Sequence, residues 1–269
     1  MKTVLLYANE DRGLESRLQT ALDCARAFDA HLGCVQVTPF DSFIMGDPFG
    51  GVYAVPTVLE QVRETETRHR ERIEGRLKTE GVSWDWLRYD GSPAQILVDR
   101  SRLADLVVLS LPAEGTGRDT ALSIAGDVVL HAKPPVLAVP PAGRGLDPRA
   151  PALVAWDGSV EACHALRQSL AMLGKAERVH VVTVSDDPAQ FPATDAAVYL
   201  SRHGIDAELH EWPRDGRSTA AALIDAAAVL KAAYLVMGAY GHSRLREAVL
   251  GGATREMLRS SPLPLLLSH

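Results

Sequence analysis

The stretch MGAYGHSRLREAVLGGATREML, Met237 to Leu258, holds four glycines around a nine-residue insert and follows directly on an apolar run. Gly238 and Gly241 stand three positions apart, and Gly251 and Gly252 precede a helix-like tail. Glycine reaches positive φ and lets backbone come close to a neighbour or a ligand. At a helix start, free N–H groups and the helix dipole attract anions. The expectation is therefore a strand, a turn at Gly238 and Gly241, an insert that wraps a bound group, and a helix aimed back at the same crevice. A turn with close helix–strand packing is the competing account, and the agreement of context and spacing favours the binding reading.

Working outward, AAYLVMGAY before the glycines and PLPLLLSH after them read as strands, as do PALVAWDGS, RVHVVTVSD and AELHEWP. A helix with Ala162, Ala165, Leu166, Ser169, Leu170 and Leu173 on one face follows the first of these. The first half shows the same order. TVLLYA, LGCVQVTP, SWDWLRYD, ADLVVLSLP and PVLAVP alternate with helical patterns, the longest about Thr57 to Glu80. VLHAKPPVLAV can be laid on MLRSSPLPLLL without a gap, which places Ser110 on Gly238. The chain is thus a duplication, with domains expected at 1–141 and 151–269 and a Pro- and Gly-rich linker, PPAGRGLDPRAP, between them.

Strands apolar throughout, each followed by an amphipathic helix, predict an α/β fold with a parallel sheet covered on both faces. Ligands of such sheets sit at the carboxyl ends of the strands, near the switch point. The glycine stretch begins at one of those ends. The apolar last strands of the two halves are each an edge, a liability that proteins tend to cover or pair. They predict that the halves join as an intramolecular pseudo-dimer.

The 269 residues carry a formal net charge of −6, which argues against a nucleic-acid binder relying on bulk positive charge. No apolar run has the length of a membrane span, and the N-terminus reads as a first strand, not a signal peptide. Cys24, Cys34 and Cys163 are scattered and give neither a disulfide framework nor metal-ligand spacing. These features predict a cytoplasmic protein with buried, inert thiols, no metal centre and no membrane or nucleic-acid partner.

The GxxxxGK[ST] phosphate loop and the dinucleotide GxGxxG are both absent. The pattern G-x2-G-x9-G followed by a small residue, together with AWDGS after the first strand of the second half, resembles the nucleotide-binding signature of the universal stress protein family, here as two tandem domains. The resemblance implies two five-stranded, Rossmann-like parallel sheets of strand order 3-2-1-4-5, antiparallel pairing of their edges, and ATP, with or without Mg²⁺, as the bound cofactor. Carried over by position, it sets Asp157 against the adenosine, Val184 against the adenine, and Met237 and Gly238 near the ribose and phosphates. Gly241, Gly251, Gly252 and the helix start at Ala253 and Thr254 would hold the phosphates. Gly252 departs from the Ser or Thr common there in nucleotide binders, and Thr254 or Arg255 is the available replacement. In the first half Ser110, Ala113, Ser123 and Ile124 replace the glycines, and Ala8 or Asn9 replaces the aspartate. That copy is expected to keep the fold and lack the site.

Plainer roles compete. Asp157 in DGS suits a helix N-cap. His242 and Arg244 suit a surface better than phosphate ligation. Ser185 to Pro188 (SDDP) reads as a turn more readily than a Mg²⁺ site. The run RETETRHRERIEGR is a solvated helix face, and the 40–57 segment reads as a long surface loop. No nucleophile–base–orienter set is visible, so at most weak ATP hydrolysis is expected. The function implied is a stress-response or regulatory protein that binds an adenine nucleotide in its second domain. A nucleotide-free scaffold and a slow ATPase are its rivals. An unidentified protein and a second copy of the chain stand open as partners.

Overall fold

The computed structural model describes residues 1–39, 44–46, 52–54, 56–112, 118–184, 192–241 and 252–269. The first half contributes β1 (Thr3–Tyr7), α1 (Leu14–Phe28), β2 (His31–Thr38), a short hairpin β3 (Ile44–Gly46) and β4 (Val52–Ala54), and α2 (Pro56–Leu77). It continues with β5 (Trp84–Asp90), α3 (Pro93–Arg100), β6 (Leu106–Ser110), α4 (Arg118–His131) and β7 (Val136–Val139). The second half contributes β8 (Ala152–Ala155), α5 (Val160–Gln168), α6 (Leu170–Leu173), β9 (Val179–Val184), α7 (Ala193–Arg202) and β10 (Ala207–Trp212). It ends with α8 (Thr219–Val229), β11 (Tyr234–Gly238), α9 (Ala253–Ser260) and β12 (Leu265–Ser268).

Ten strands form one sheet in the order β10-β9-β8-β11-β12-β7-β6-β1-β2-β5. Each half reads 3-2-1-4-5 with parallel pairing, as expected. The junction is antiparallel: Leu265 faces Ala138, Leu266 faces Leu137 and Leu267 faces Val136. All six residues are buried. Because side chains alternate across a strand, Leu137 and Leu266 enter one core and Val136, Ala138, Leu265 and Leu267 the other. Both cores therefore run unbroken through the junction. On one face α1, α2, α5 and α7 pack with Leu18, Ile73, Leu166 and Leu200. On the other, α3, α4, α8 and α9 pack with Leu97, Val128, Leu223 and Met257.

Local signals explain the element ends. Ser92 and Pro93 open α3, with proline in the first turn, where its missing N–H costs nothing. Ser159 and Ser218 cap α5 and α8 by accepting from the N–H groups of Ala162 and Ala221. The expected single helix after β8 is instead two, α5 and α6, divided at Ser169. The buried Ser169 hydroxyl donates to the Leu166 carbonyl, a side-chain bond that competes with the helical ladder. The 40–57 segment is not a plain loop either, since β3 and β4 pair within it. Cys24 and Cys34 are buried, and burial pushes both thiols up to about 12. Cys163 is only partly buried. Among the described residues no helix is long and apolar enough to cross a membrane.

A sheet with continuous cores should unfold as one unit. Trp84 and Trp86 report on the first half, Trp156 and Trp212 on the second. In urea titrations, a W84F/W86F variant and a W156F/W212F variant should each show a fluorescence midpoint that coincides with its own far-UV dichroism midpoint. Separate midpoints for the two halves would contradict the fused core.

Candidate functional site

A cavity of about 320 Å³ opens at the carboxyl ends of β8, β9 and β11. That volume falls in the range of small-molecule sites, roughly 300–1,000 Å³. Its apolar wall includes Trp156, Val182, Val184, Leu223 and Met237. Its polar groups are Asp157, Ser159, Glu161, Arg214, Thr219 and Thr254. Topology explains the convergence. In this half α5 follows β8, α8 follows β10 and α9 follows β11, so all three helices start at the carboxyl edge. Residues at the starts of all three line the cavity. Ser159 and Ser218 satisfy the first turns of α5 and α8. At α9 the cap residue is Gly252, which offers no side chain. Its end of the cavity is the one whose backbone donors lack a side-chain cap, the condition under which a helix start favours an anion.

Of the residues singled out in the sequence, the cavity gathers Asp157, Val184, Met237, Gly238, Gly241, Ala253 and Thr254. Gly252 stands immediately before the last two as the α9 cap. Gly251, His242, Arg244, Ala113 and the Ser185–Pro188 motif lie outside the described residues.

Several roles differ from expectation. Asp157 does not cap α5; Ser159 does. The Asp157 carboxylate accepts from the Ser159 N–H at 2.9 Å and shapes the turn, with Gly158 at φ 74°. Asp157 stays exposed on the cavity rim. Gly238 and Gly241 are absent from the positive-φ glycines; Tyr240 between them takes that conformation, at φ 60°. Gly238 serves packing: a Cβ there would lie 2.5 Å from the Glu161 carbonyl carbon and 2.6 Å from the Ala162 nitrogen. The close-packing reading holds at this glycine. Thr254 is buried, and its hydroxyl accepts from the Tyr240 N–H at 3.2 Å, so it fixes the turn.

Sequence reasoning missed Trp156, Glu161 and Arg214. Trp156 is a buried extension of β8, its N–H bonded to the Val182 carbonyl at 2.9 Å. Arg214 reaches the cavity from the turn after β10, where its Nη2 donates to the Thr219 hydroxyl at 3.0 Å. The Glu161 carboxylate reaches Gly241, since a Cβ on that glycine would lie 2.6 Å from Glu161 Oε2. No spacing rule joins Arg214 to Asp157, because they sit on separate strand ends.

At the equivalent strand ends of the first half, described side chains bond to one another and to the backbone. β1 pairs with β6 as β8 pairs with β11, Val4 opposite Leu106 matching Ala152 opposite Tyr234. In that frame Asn9 stands for Asp157, Ser110 for Gly238 and Gly13 for Glu161. The Asn9 amide pairs twice with Val37, donating to its carbonyl at 2.6 Å and accepting from its N–H at 2.7 Å. Arg17 is fully buried. Its guanidinium donates to the carbonyls of Tyr7 and Asn9, to Asp11 at 2.5 Å and to the Ser110 hydroxyl at 3.0 Å. Burial, outweighing the nearby Arg17 charge, pushes the Tyr7 hydroxyl up to about 12. Ile124 belongs to α4 and packs on the core.

An open, parallel α/β sheet with a built crevice at its carboxyl edge places the protein in the doubly wound α/β class. Residues 149–269 match the model of the universal stress protein family. The whole chain takes the fold of a universal stress protein from Archaeoglobus fulgidus DSM 4304, with a TM-score of 0.79 at 16% identity, covering 99% of this chain and 95% of that one. A structure from Pseudomonas aeruginosa UCBPP-PA14, described as of the same kind, aligns with a TM-score of 0.59 at 16% identity, covering 99% of this chain and 92% of that one. No curated protein matches the sequence.

The two glycines should respond differently to a single methyl group. Gly238→Ala drives a Cβ into α5 backbone and should cost about 1–3 kcal/mol of stability, as overpacking does. Gly241→Ala meets only the movable end of Glu161 and should cost less than about 1 kcal/mol. Urea unfolding of both variants checks this, and equal losses would contradict the packing role of Gly238.

Proposed function

We propose that this is a stress-response or regulatory protein that binds one adenine nucleotide, ATP foremost, in the crevice of its second domain (151–269). The first domain (1–141) is a copy that kept the fold and gave up the site. The observation that carries the reading is the composition of the crevice: an apolar wall, one arginine, and a helix start without a side-chain cap, all at the switch-point edge. An adenine ring suits the wall of Val182, Val184, Leu223 and Met237. A ribose suits the exposed Asp157 carboxylate, one oxygen of which accepts from the Ser159 N–H. Phosphates suit the α9 start at Ala253 and Thr254 and the glycine turn before it. Glu161 stands close to that turn, and a Mg²⁺ ion carried by the triphosphate would offset its charge. The reading assigns both carboxylates to binding and makes the nucleotide a conformational or partner-selecting signal.

Calorimetric titration of the full chain with Mg²⁺–ATP should give one site per chain. Asp157→Ala should weaken binding by about tenfold or more, the loss of one charge-assisted hydrogen bond. Arg214→Gln should weaken ATP more than adenosine. Two equal sites would contradict the assignment of the first domain. No binding of ATP or AMP would leave the nucleotide-free scaffold as the better account.

A further inference from the structure

On the edge of the sheet, β9 and β10 bring together three metal-competent side chains. Glu208 is directly opposite His180 in the parallel register, and His210 lies two residues further along β10, so all three project from one face. His180 Nδ1 is 3.1 Å from His210 Nε2 and 3.4 Å from Glu208 Oε2, and His210 Nε2 is 3.8 Å from the same oxygen. His180 is buried, His210 half-buried and Glu208 exposed, so the cluster has a fixed base and an open mouth.

We propose that His180 Nδ1, His210 Nε2 and the Glu208 carboxylate form a zinc-class divalent metal site, with a fourth position open to water. Metal–nitrogen and metal–oxygen distances near 2.0–2.2 Å in a tetrahedron put ligand atoms roughly 3.4 Å apart. The three observed separations straddle that value. Two imidazoles with one carboxylate select zinc, nickel or copper over magnesium and calcium. The site would tie β10, the outermost strand of this end of the sheet, to β9. It lies toward the amino ends of these strands. His180 precedes Val182 of the crevice wall by two residues, about 7 Å along the strand, and His210 lies directly opposite Val182. The cluster adjoins the crevice wall but shares no residue with it.

The test uses the full chain stripped with EDTA, with Co²⁺ as a spectroscopic probe and Zn²⁺ in competition with a chromophoric chelator. The parent protein should bind one Zn²⁺ per chain, give the visible absorption of tetrahedral Co²⁺, and resist competition by Mg²⁺. His210→Ala should lose the Co²⁺ band and at least about tenfold in Zn²⁺ affinity, the scale at which even outer-shell partners matter. Glu208→Gln should weaken binding as well. Both residues are solvent-accessible, so these variants carry the test if the buried His180→Ala fails to fold. Zn²⁺ should raise the melting temperature of the parent and not of His210→Ala. A parent protein that takes up no Zn²⁺, or variants that bind it as the parent does, would overturn the proposal.

Discussion

The antiparallel contact between β7 and β12 is the constraint on which the rest depends. Each half alone would end in an apolar edge strand with unpaired backbone groups, a template for aggregation. Joined, the two edges become the centre of a ten-stranded sheet. Leucine, valine and alanine side chains from both strands then knit the two cores together. The junction also fixes orientation. Strands are parallel within each half and antiparallel across the seam, so the two carboxyl edges face opposite ends of the sheet. One crevice cannot borrow residues from the other. Tyr240 makes the local link: it leaves the turn after β11 in a left-handed conformation, and its hydroxyl lies where a side chain on Gly126 of α4 would go.

Within this shared frame the copies solved one packing problem in opposite ways. The fourth strand of each half must approach the first helix too closely for two side chains. In the second half the glycine is on the strand, Gly238, and the helix keeps Glu161. In the first half the glycine is beside the helix, Gly13, and the strand keeps Ser110. A Cβ on Gly13 would lie 2.4 Å from the Ser110 hydroxyl. Keeping a hydroxyl on the strand gave the buried Arg17 one of its acceptors. The guanidinium also donates to the carbonyls of Tyr7 and Asn9 in the turn after β1. The same exchange that preserves packing gives the two strand ends different polar partners.

Much of this was legible from residue order. Apolar runs, helical periodicity and the match of VLHAKPPVLAV with MLRSSPLPLLL are local patterns, and local patterns report strands, helices and duplication. The site was legible where residues sit at or just past a strand's end, as Gly238 and Asp157 do. Roles within it were less so. A glycine in sequence does not say whether it serves φ or proximity, and at Gly238 it serves proximity. Arg214 and the His180–Glu208–His210 cluster were invisible because they meet only through strand pairing, across nearly thirty residues or more. Nothing in the residue order marked Arg17 as fully buried.

The central claim is that one strand-end crevice takes a nucleotide and its counterpart does not. Hydrogen exchange measured by mass spectrometry, with and without Mg²⁺–ATP, tests the location directly. The account predicts slowed exchange in peptides covering residues 155–162 and 252–258, with no change in peptides covering residues 8–17. Protection in the first-half peptides, or equal protection in both halves, would contradict it.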